Sequence, residues 1–220
     1  MAEIVDVYVD GSCIGNGLPW PESAAAFGVW FGPSHKLNDN YHVIDTDNQT
    51  NQRAEIEAAE HAIRIAFREG MEGLRIHTDS KYVLHAITKN WVAKWKGNGW
   101  LNTKGKPVSN KEGWINLDKE MVKYSRSGGI LEWKYVRAHS GNKGNDNADR
   151  LAKWAAEAHY HFSQFITASS CPCSCCGCPG LDASDSERQR YAELERKMLE
   201  SRKKTSLQSI MEKGKEIILP

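Results

Sequence analysis

The feature that most constrains this chain is the order in which its hydrophobic periodicity changes. Ile4, Val5, Val7, Tyr8 and Val9 form an apolar, β-branched run that meets Asp10-Gly11, which predicts a buried strand with Asp10 at its end. A second strand-like run covers 24–31 after a loop punctuated by Gly15, Gly17, Pro19 and Pro21. A third covers about 41–44 after the turn-rich Asn38-Asp39-Asn40. The short connections imply an antiparallel meander. The period then becomes helical, with Ile56, Ala59, Ile63, Ala66 and Phe67 three and four residues apart from about 51 to Gly70, where glycine supplies a stop. Leu74, Ile76 and Thr78 alternate as a fourth strand that runs into Asp79-Ser80 and a further helix to about Ile87, so Asp79 also falls at a strand end.

The stretch 91–100 reads as a short helix and turn rich in Trp and Lys. Ser109 and Glu112 match a capping box opening a helix to about Ser127, which Gly128-Gly129 ends. A last strand at 130–136, a polar loop at 138–144 and a helix at 145–162 complete an order that describes an α/β fold, a mixed sheet flanked by helices. Beyond it, Ser, Cys, Pro and Gly replace apolar periodicity over 163–183, which reads as a linker. Ser184 and Glu187 then open a charged helical or partly disordered tail, 184–220, whose stripe of Tyr191, Leu194 and Met198 is too thin for a separate core. The expected organisation is one domain, 1–162, with an appendage.

Composition removes several function classes. The net charge is +1, from 29 Lys and Arg against 28 Asp and Glu, so no global basic field is available and any nucleic-acid binding must be local. No run of 18 apolar residues occurs, and the N-terminus lacks the basic start and apolar centre of a signal peptide. An intracellular protein of cytoplasm or nucleus is expected. Cys13 stands alone in the first 170 residues, while Cys171, Cys173, Cys175, Cys176 and Cys178 crowd together, unlike a disulfide framework that staples distant segments. That cluster does not match the spaced pairs of a zinc finger either. A linker, a metal or redox site and lipid attachment all remain open for it.

Four acids stand out by position: Asp10, Glu55 on the first long helix, Asp79, and Asp149 on the last domain helix. Each has an ordinary alternative. Asp79 can cap the next helix, Asp10 can shape a glycine turn, and Glu55 and Asp149 can be surface charges. If the first and fourth strands are neighbours, however, Asp10 and Asp79 lie side by side, and carboxylates that close repel unless a proton or a divalent cation intervenes.

The wording around the four acids carries more than their positions. Tyr8-Val9-Asp10-Gly11-Ser12, Thr50-Asn51-Gln52-Arg53-Ala54-Glu55, His77-Thr78-Asp79-Ser80 and Asn145-Asp146-Asn147-Ala148-Asp149-Arg150-Leu151-Ala152 resemble the four catalytic blocks of type 1 ribonuclease H, the bacterial HI-like and eukaryotic H1-like family, over about 4–160. The resemblance implies the ribonuclease H-like fold, a five-stranded mixed sheet with helices on both sides. It also implies endonucleolytic hydrolysis of the RNA strand of RNA–DNA hybrids, leaving 5′-phosphate and 3′-hydroxyl ends. Two Mg²⁺ ions, replaceable by Mn²⁺, would be held by Asp10, Glu55, Asp79 and Asp149, a fit to magnesium's preference for oxygen ligands. By the same resemblance Asp10 bridges both ions, Asp149 helps hold the ion that activates water, and Glu55 and Asp79 hold the other beside the leaving oxygen. His139 matches the family's mobile-loop histidine and would assist proton transfer or product release.

Distinguishing RNA from DNA requires polar groups that read a 2′-hydroxyl. Asn51 and Gln52 lie four and three residues before Glu55 and share its side of the helix. Asn16, in Gly15-Asn16-Gly17, matches a family position that touches the RNA strand. The DNA strand is assigned to Trp91, Trp95, Lys94 and Lys96, with Lys104 and Lys106 nearby. The indoles are one helical turn apart among lysines and suited to deoxyribose and phosphates. Asn110, Thr103 and Cys13 match a more distant DNA-phosphate site. Asn48 stands where some relatives carry Arg, which removes one charge from that pocket and implies weaker gripping of the DNA strand.

With the first strand beginning at residue 4, no preceding hybrid-binding domain is expected, and low processivity with it. The partner is an RNA–DNA hybrid, and the domain is expected to be monomeric without a membrane span. Competing readings are a DNA nuclease or a retroelement-derived module on the same fold, and an inactive hybrid-binding scaffold, which would have lost at least one of the four carboxylates.

Overall fold

The first apolar run does not stop at Asp10. It continues as the 11-residue strand β1 (Ile4–Ile14), and the reason lies in its two neighbours. β1 pairs in parallel with β4 (Gly73–Thr78) only as far as Tyr8 opposite His77, whereas its antiparallel pairing with β2 (Ala24–Trp30) carries on to Ile14 opposite Ala24. Asp10, expected at a strand end, is therefore inside a strand, at the point where one neighbour leaves and the other stays.

The computed structural model describes residues 2–43 and 49–169. Asn48, the Cys cluster at 171–178 and the expected tail helix lie outside the described residues. Contacts divide the chain into two compact units, Met1–Tyr160 and His161–Pro220. In the first, the remaining elements are β3 (Asp39–His42), α1 (Asn51–Arg68), α2 (Lys81–Thr88), α3 (Trp91–Gly97), α4 (Lys111–Arg126) and β5 (Ile130–Tyr135), followed by the start of α5 (Lys143–Ser169). The sheet order is β3-β2-β1-β4-β5, antiparallel on one side of β1 and parallel on the other. This is the five-stranded mixed sheet that the element order predicts.

Alternation along the strands sends Val7, Val9, Val29, Leu74 and Ile76 to one face. There they pack with Ile56, Ile63 and Ile65 of α1 and with Trp114 and Leu117 of α4, all essentially buried. α1 is delimited as its sequence signals predict. The Thr50 hydroxyl accepts from the Arg53 backbone at its start, and Gly70, at φ +66, follows its end. On the other face α5 rests against β2 at Gly28, where an added Cβ would lie 2.7 Å from Leu151 Cβ and 2.8 Å from the Ala152 nitrogen. Only glycine permits that approach.

Two helix boundaries differ from expectation. The capping box at Ser109 and Glu112 does not form. Asn110 caps α4 from the left-handed region, at φ 58, without a side-chain bond to the helix, a conformation Asn tolerates better than most residues. α5 starts at Lys143, earlier than expected, and runs to Ser169 rather than ending at 162, because 163–169 contains no Pro or Gly. No helix among the described residues is long and apolar enough to cross a membrane.

Candidate metal centre and nucleic-acid interface

Asp10 projects from β1 toward the α5 side of the sheet, and its own Oδ1 accepts from the Gly11 backbone at 2.8 Å. Glu55 reaches the same place because α1 lies directly on β1. A Cβ at Gly11 would sit 2.5 Å from the Glu55 nitrogen. Asp79 follows the last residue of β4. It is not the cap of α2, because the Ser80 hydroxyl takes that role by accepting from Val83 at 3.4 Å. Its carboxylate is left for other work, which removes the ordinary reading of that residue.

One carboxylate oxygen each from Asp10, Glu55 and Asp79 lies within 4.8 Å of the others. Asp10 and Glu55 are buried, so neither is a surface charge. Burial, followed by the charges of Asp79 and Asp149, pushes Asp10 up to about 8. Burial, followed by Asp10 and Asp79, raises Glu55 well above the usual carboxylate range. Such a cluster must take up protons or a cation. The donor set fits a hard divalent ion: all ligand atoms are oxygens, and Glu55 Oε2 is buried without a hydrogen-bond partner. These three acids could hold a metal ion.

Asp149 is brought to the same edge but not into that trio. Asp10 lies opposite Gly28 in the β1–β2 register, and Gly28 is where α5 crosses at Ala148 and Ala152, so Asp149 arrives near enough for its charge to act on Asp10. Its Oδ2 accepts from Lys153 Nζ at 2.8 Å, an i,i+4 pair with a largely exposed lysine. Sequence reading gave no role to Lys153, or to Asn145, whose Nδ2 donates to Asp79 Oδ2 at 2.9 Å. The available signal was spacing: the two residues lie four before and four after Asp149 and share its helix face.

His139 stands exposed in the turn between β5 and α5, with φ 50. Asn51 and Gln52 are exposed on the first turn of α1. Asn16 is engaged within the fold, where its Oδ1 accepts from the Asn51 backbone at 2.9 Å and ties the β1–β2 loop to the helix start. Trp91 and Trp95 are half-buried, 6.1 Å apart between ring centroids, and Trp95 also meets Trp114 at 5.6 Å, so each indole has a core side and a solvent side. Lys94 is exposed, while Lys96 pairs with Asp118 at 2.7 Å. Thr103 is exposed and Asn110 buried. Cys13 is half-buried and donates to the Gln49 carbonyl at 3.4 Å. Burial pushes its thiol up to about 11, so at neutral pH it is a neutral donor.

The family model described as RNase H matches residues 2–157. Ribonuclease H1 of Mus musculus is 42% identical over 157 residues, covering 71% of this chain and 52% of the relative, and that of Homo sapiens is equally similar. The chain thus spans about half the length of these relatives. Ribonuclease H of Pseudoalteromonas translucida is 36% identical over 156 residues, covering 71% of this chain and 92% of the relative. Among solved structures, LC9-RNase H1, a type 1 RNase H with the type 2 active-site motif, aligns with a TM-score of 0.54 at 27% identity, over 72% of this chain and 74% of its own. The PFV RNase H domain aligns with a TM-score of 0.52 at 24% identity, over 70% and 94%, a likeness of fold. With its sheet order, its acidic cluster and the matched span in agreement, this chain belongs to the RNase H family.

Proposed function

We propose that the chain is an endonuclease that hydrolyses the RNA strand of RNA–DNA hybrids, leaving 5′-phosphate and 3′-hydroxyl ends, with Mg²⁺ as the ion and Mn²⁺ as a substitute. The observation that carries this reading is the convergence of Asp10 from β1, Glu55 from α1 and Asp79 from just beyond β4, with their oxygens within 4.8 Å and two of the three buried. Two divalent cations bound there would supply an activated water and charge stabilisation at the leaving oxygen. The protein's own part is to hold its four carboxylates, Asp149 included, in fixed positions against their mutual repulsion. His139, exposed beside the start of α5, is suited to moving protons on and off the products.

For the substrate, Asn51 and Gln52 open the helix that carries Glu55, so amides able to read a 2′-hydroxyl stand one turn from the cutting site. Asn16 would act on the RNA strand partly by fixing that helix start. Trp91, Trp95, Lys94 and Lys96 would meet the DNA strand, and Thr103, Asn110 and Cys13 one of its phosphates. Since Lys96 is already paired with Asp118, it is expected to contribute less than Lys94. All four carboxylates come from one chain, which supports a monomeric catalytic unit over 1–162, active in an intracellular compartment. The foamy viral protease–reverse transcriptase, solved in complex with an RNA/DNA hybrid, aligns with a TM-score of 0.54 at 23% identity, covering 69% of this chain and 20% of its own, which speaks for the fold.

The test is cleavage of labelled RNA–DNA, RNA–RNA and DNA–DNA duplexes with Mg²⁺ or EDTA by the intact chain and by Asp79→Asn. Cleavage is expected only in the RNA of the hybrid, lost in EDTA and reduced at least a thousandfold by the substitution. A hybrid that is bound yet remains whole in Mg²⁺ and Mn²⁺ would make the protein a binding scaffold instead.

A further inference from the structure

Asn145 lies in the first turn of α5, where a polar side chain usually serves the helix. Here that service is already done: Asn142 Oδ1 accepts from the backbones of Gly144 and Asn145 at 3.0 and 3.2 Å. The turn is also fixed in place, because a Cβ at Gly144 would lie 2.5 Å from carbons of the Tyr8 ring, two residues before Asp10 on β1. Asn145 is 2% exposed. Its Nδ2 donates to Asp79 Oδ2 at 2.9 Å, which settles the orientation of the amide, since a carbonyl turned toward a carboxylate would be repelled. Its Oδ1 is then the other end of the same amide. That oxygen is buried and accepts no hydrogen bond, as is Glu55 Oε2 on the same cluster. Of the four buried side-chain oxygens without a hydrogen-bond partner among the described residues, these two belong to side chains of one site, and buried acceptors are normally satisfied.

We infer that Asn145 is a positioning residue for the divalent ions, through both ends of its amide. The Nδ2 end occupies Asp79 Oδ2 and so fixes the turn of that carboxylate. The Oδ1 end offers a neutral oxygen toward the hydration shell of a bound cation, adding an acceptor without adding to the negative charge of a cluster already crowded with it. Asn145 acts through Asp79 and the hydrated ion, and it does not touch the reacting phosphate. The inference rests on the metal-dependent reading of the site, and it explains why an amide rather than a fifth carboxylate stands there.

The experiment is calorimetric titration of the metal-free full chain with Mn²⁺ and with Ca²⁺, without nucleic acid, for the natural sequence, Asn145→Ala and Asn145→Asp, with melting curves alongside. The natural chain is expected to bind, and Asn145→Ala to bind five- to tenfold more weakly. Asn145→Asp keeps the oxygen but loses the donor and gains a charge. With a charged oxygen in place of the neutral one, it is expected to bind at least threefold more tightly than the natural chain. A purely structural role would lower both melting temperatures and leave the affinities unchanged, and that result would overturn the inference while leaving the metal site standing. No binding by the natural chain would instead remove the metal reading and this inference with it. If Asn145→Ala fails to fold, Asn145→Ser, too short to reach Asp79 Oδ2, replaces it under the same expectation.

Discussion

The two faces of the sheet are built on different rules. On the α1 face, Val7, Val9, Val29, Leu74 and Ile76 meet Ile56, Ile63 and Trp114, a continuous apolar core of large side chains. On the α5 face the contact is made by small residues, Gly28, Ala26, Ala155 and Ala156. Beside them runs a polar row in which Arg75 bonds Glu132 at 2.7 Å and Asp6 at 3.3 Å, and His77 bonds Asp6 at 2.6 Å. The first face supplies hydrophobic stabilisation. The second brings backbones close enough that Asp149 and Asn145 on the helix reach Asp10 and Asp79 on the strands. One face should therefore fail as stability and the other as geometry.

The largest effect should come from the first face. Ile63→Ala, at a fully buried position, is expected to cost about 2–5 kcal/mol in urea unfolding. Metal affinity should be unchanged wherever the fold persists, and a parallel loss of affinity would dissolve the distinction between the faces. Gly28→Ala should do the reverse. Its new Cβ meets helix backbone, which cannot step aside alone, so a stability loss of about 1–3 kcal/mol is expected together with at least tenfold weaker Mn²⁺ binding.

A pH series sharpens the same contrast. Glu60, on α1 facing α4, is pushed up to about 7 from 4.5, first by burial and then, against the pull of Arg64, by Glu57 and Glu120. A carboxyl raised in this way contributes its full stability below 4.5 and loses it as pH rises through about 7. Glu60→Gln should therefore equal the natural chain at pH 4 and exceed it at pH 8 by about 1 kcal/mol in thermal unfolding, with cleavage unaffected. Equal stability at both values would mean the carboxyl is solvated. The smallest effect belongs to Lys153→Ala. Because its ion pair is mostly exposed, stability should change by less than about 1 kcal/mol. Divalent affinity should rise no more than threefold, as Asp149 loses a competing cation, and a tenfold fall in calorimetry would show that the lysine is needed to hold Asp149 in place.

Much of this was legible in the chain, for physical reasons that vary by residue. Strand and helix order followed from periodicity, and the Gly70 stop from its φ preference. Asp10 was misplaced because sequence reveals an apolar run but not which neighbour continues beyond it: β4 leaves at Tyr8 while β2 pairs on to Ile14. Ser109 failed as a cap because an Asx residue beside it adopted a left-handed conformation, which spacing cannot reveal. The acidic trio was readable from its local wording. Asn145 was not, since its meaning depends on one bond to a residue 66 positions away. Trp91 and Trp95 lay between two readings, core and binding surface, and the half-buried indoles pack on the core while keeping a solvent side.

The crossing at Gly28 also has a mechanical consequence. Its contacts fall at Ala148, Leu151 and Ala152, so a close approach of α5 to the sheet coincides with Asp149. Asn145 and Lys153 lie about one turn to either side. With Gly144 against the Tyr8 ring on one side of that crossing and Ala155 and Ala156 against Ala26 on the other, the helix is clamped to the sheet at three places. A tilt about Gly28 would have to break one of the outer contacts, so the same packing that brings Asp149 to the sheet also holds it in register with the other three acids.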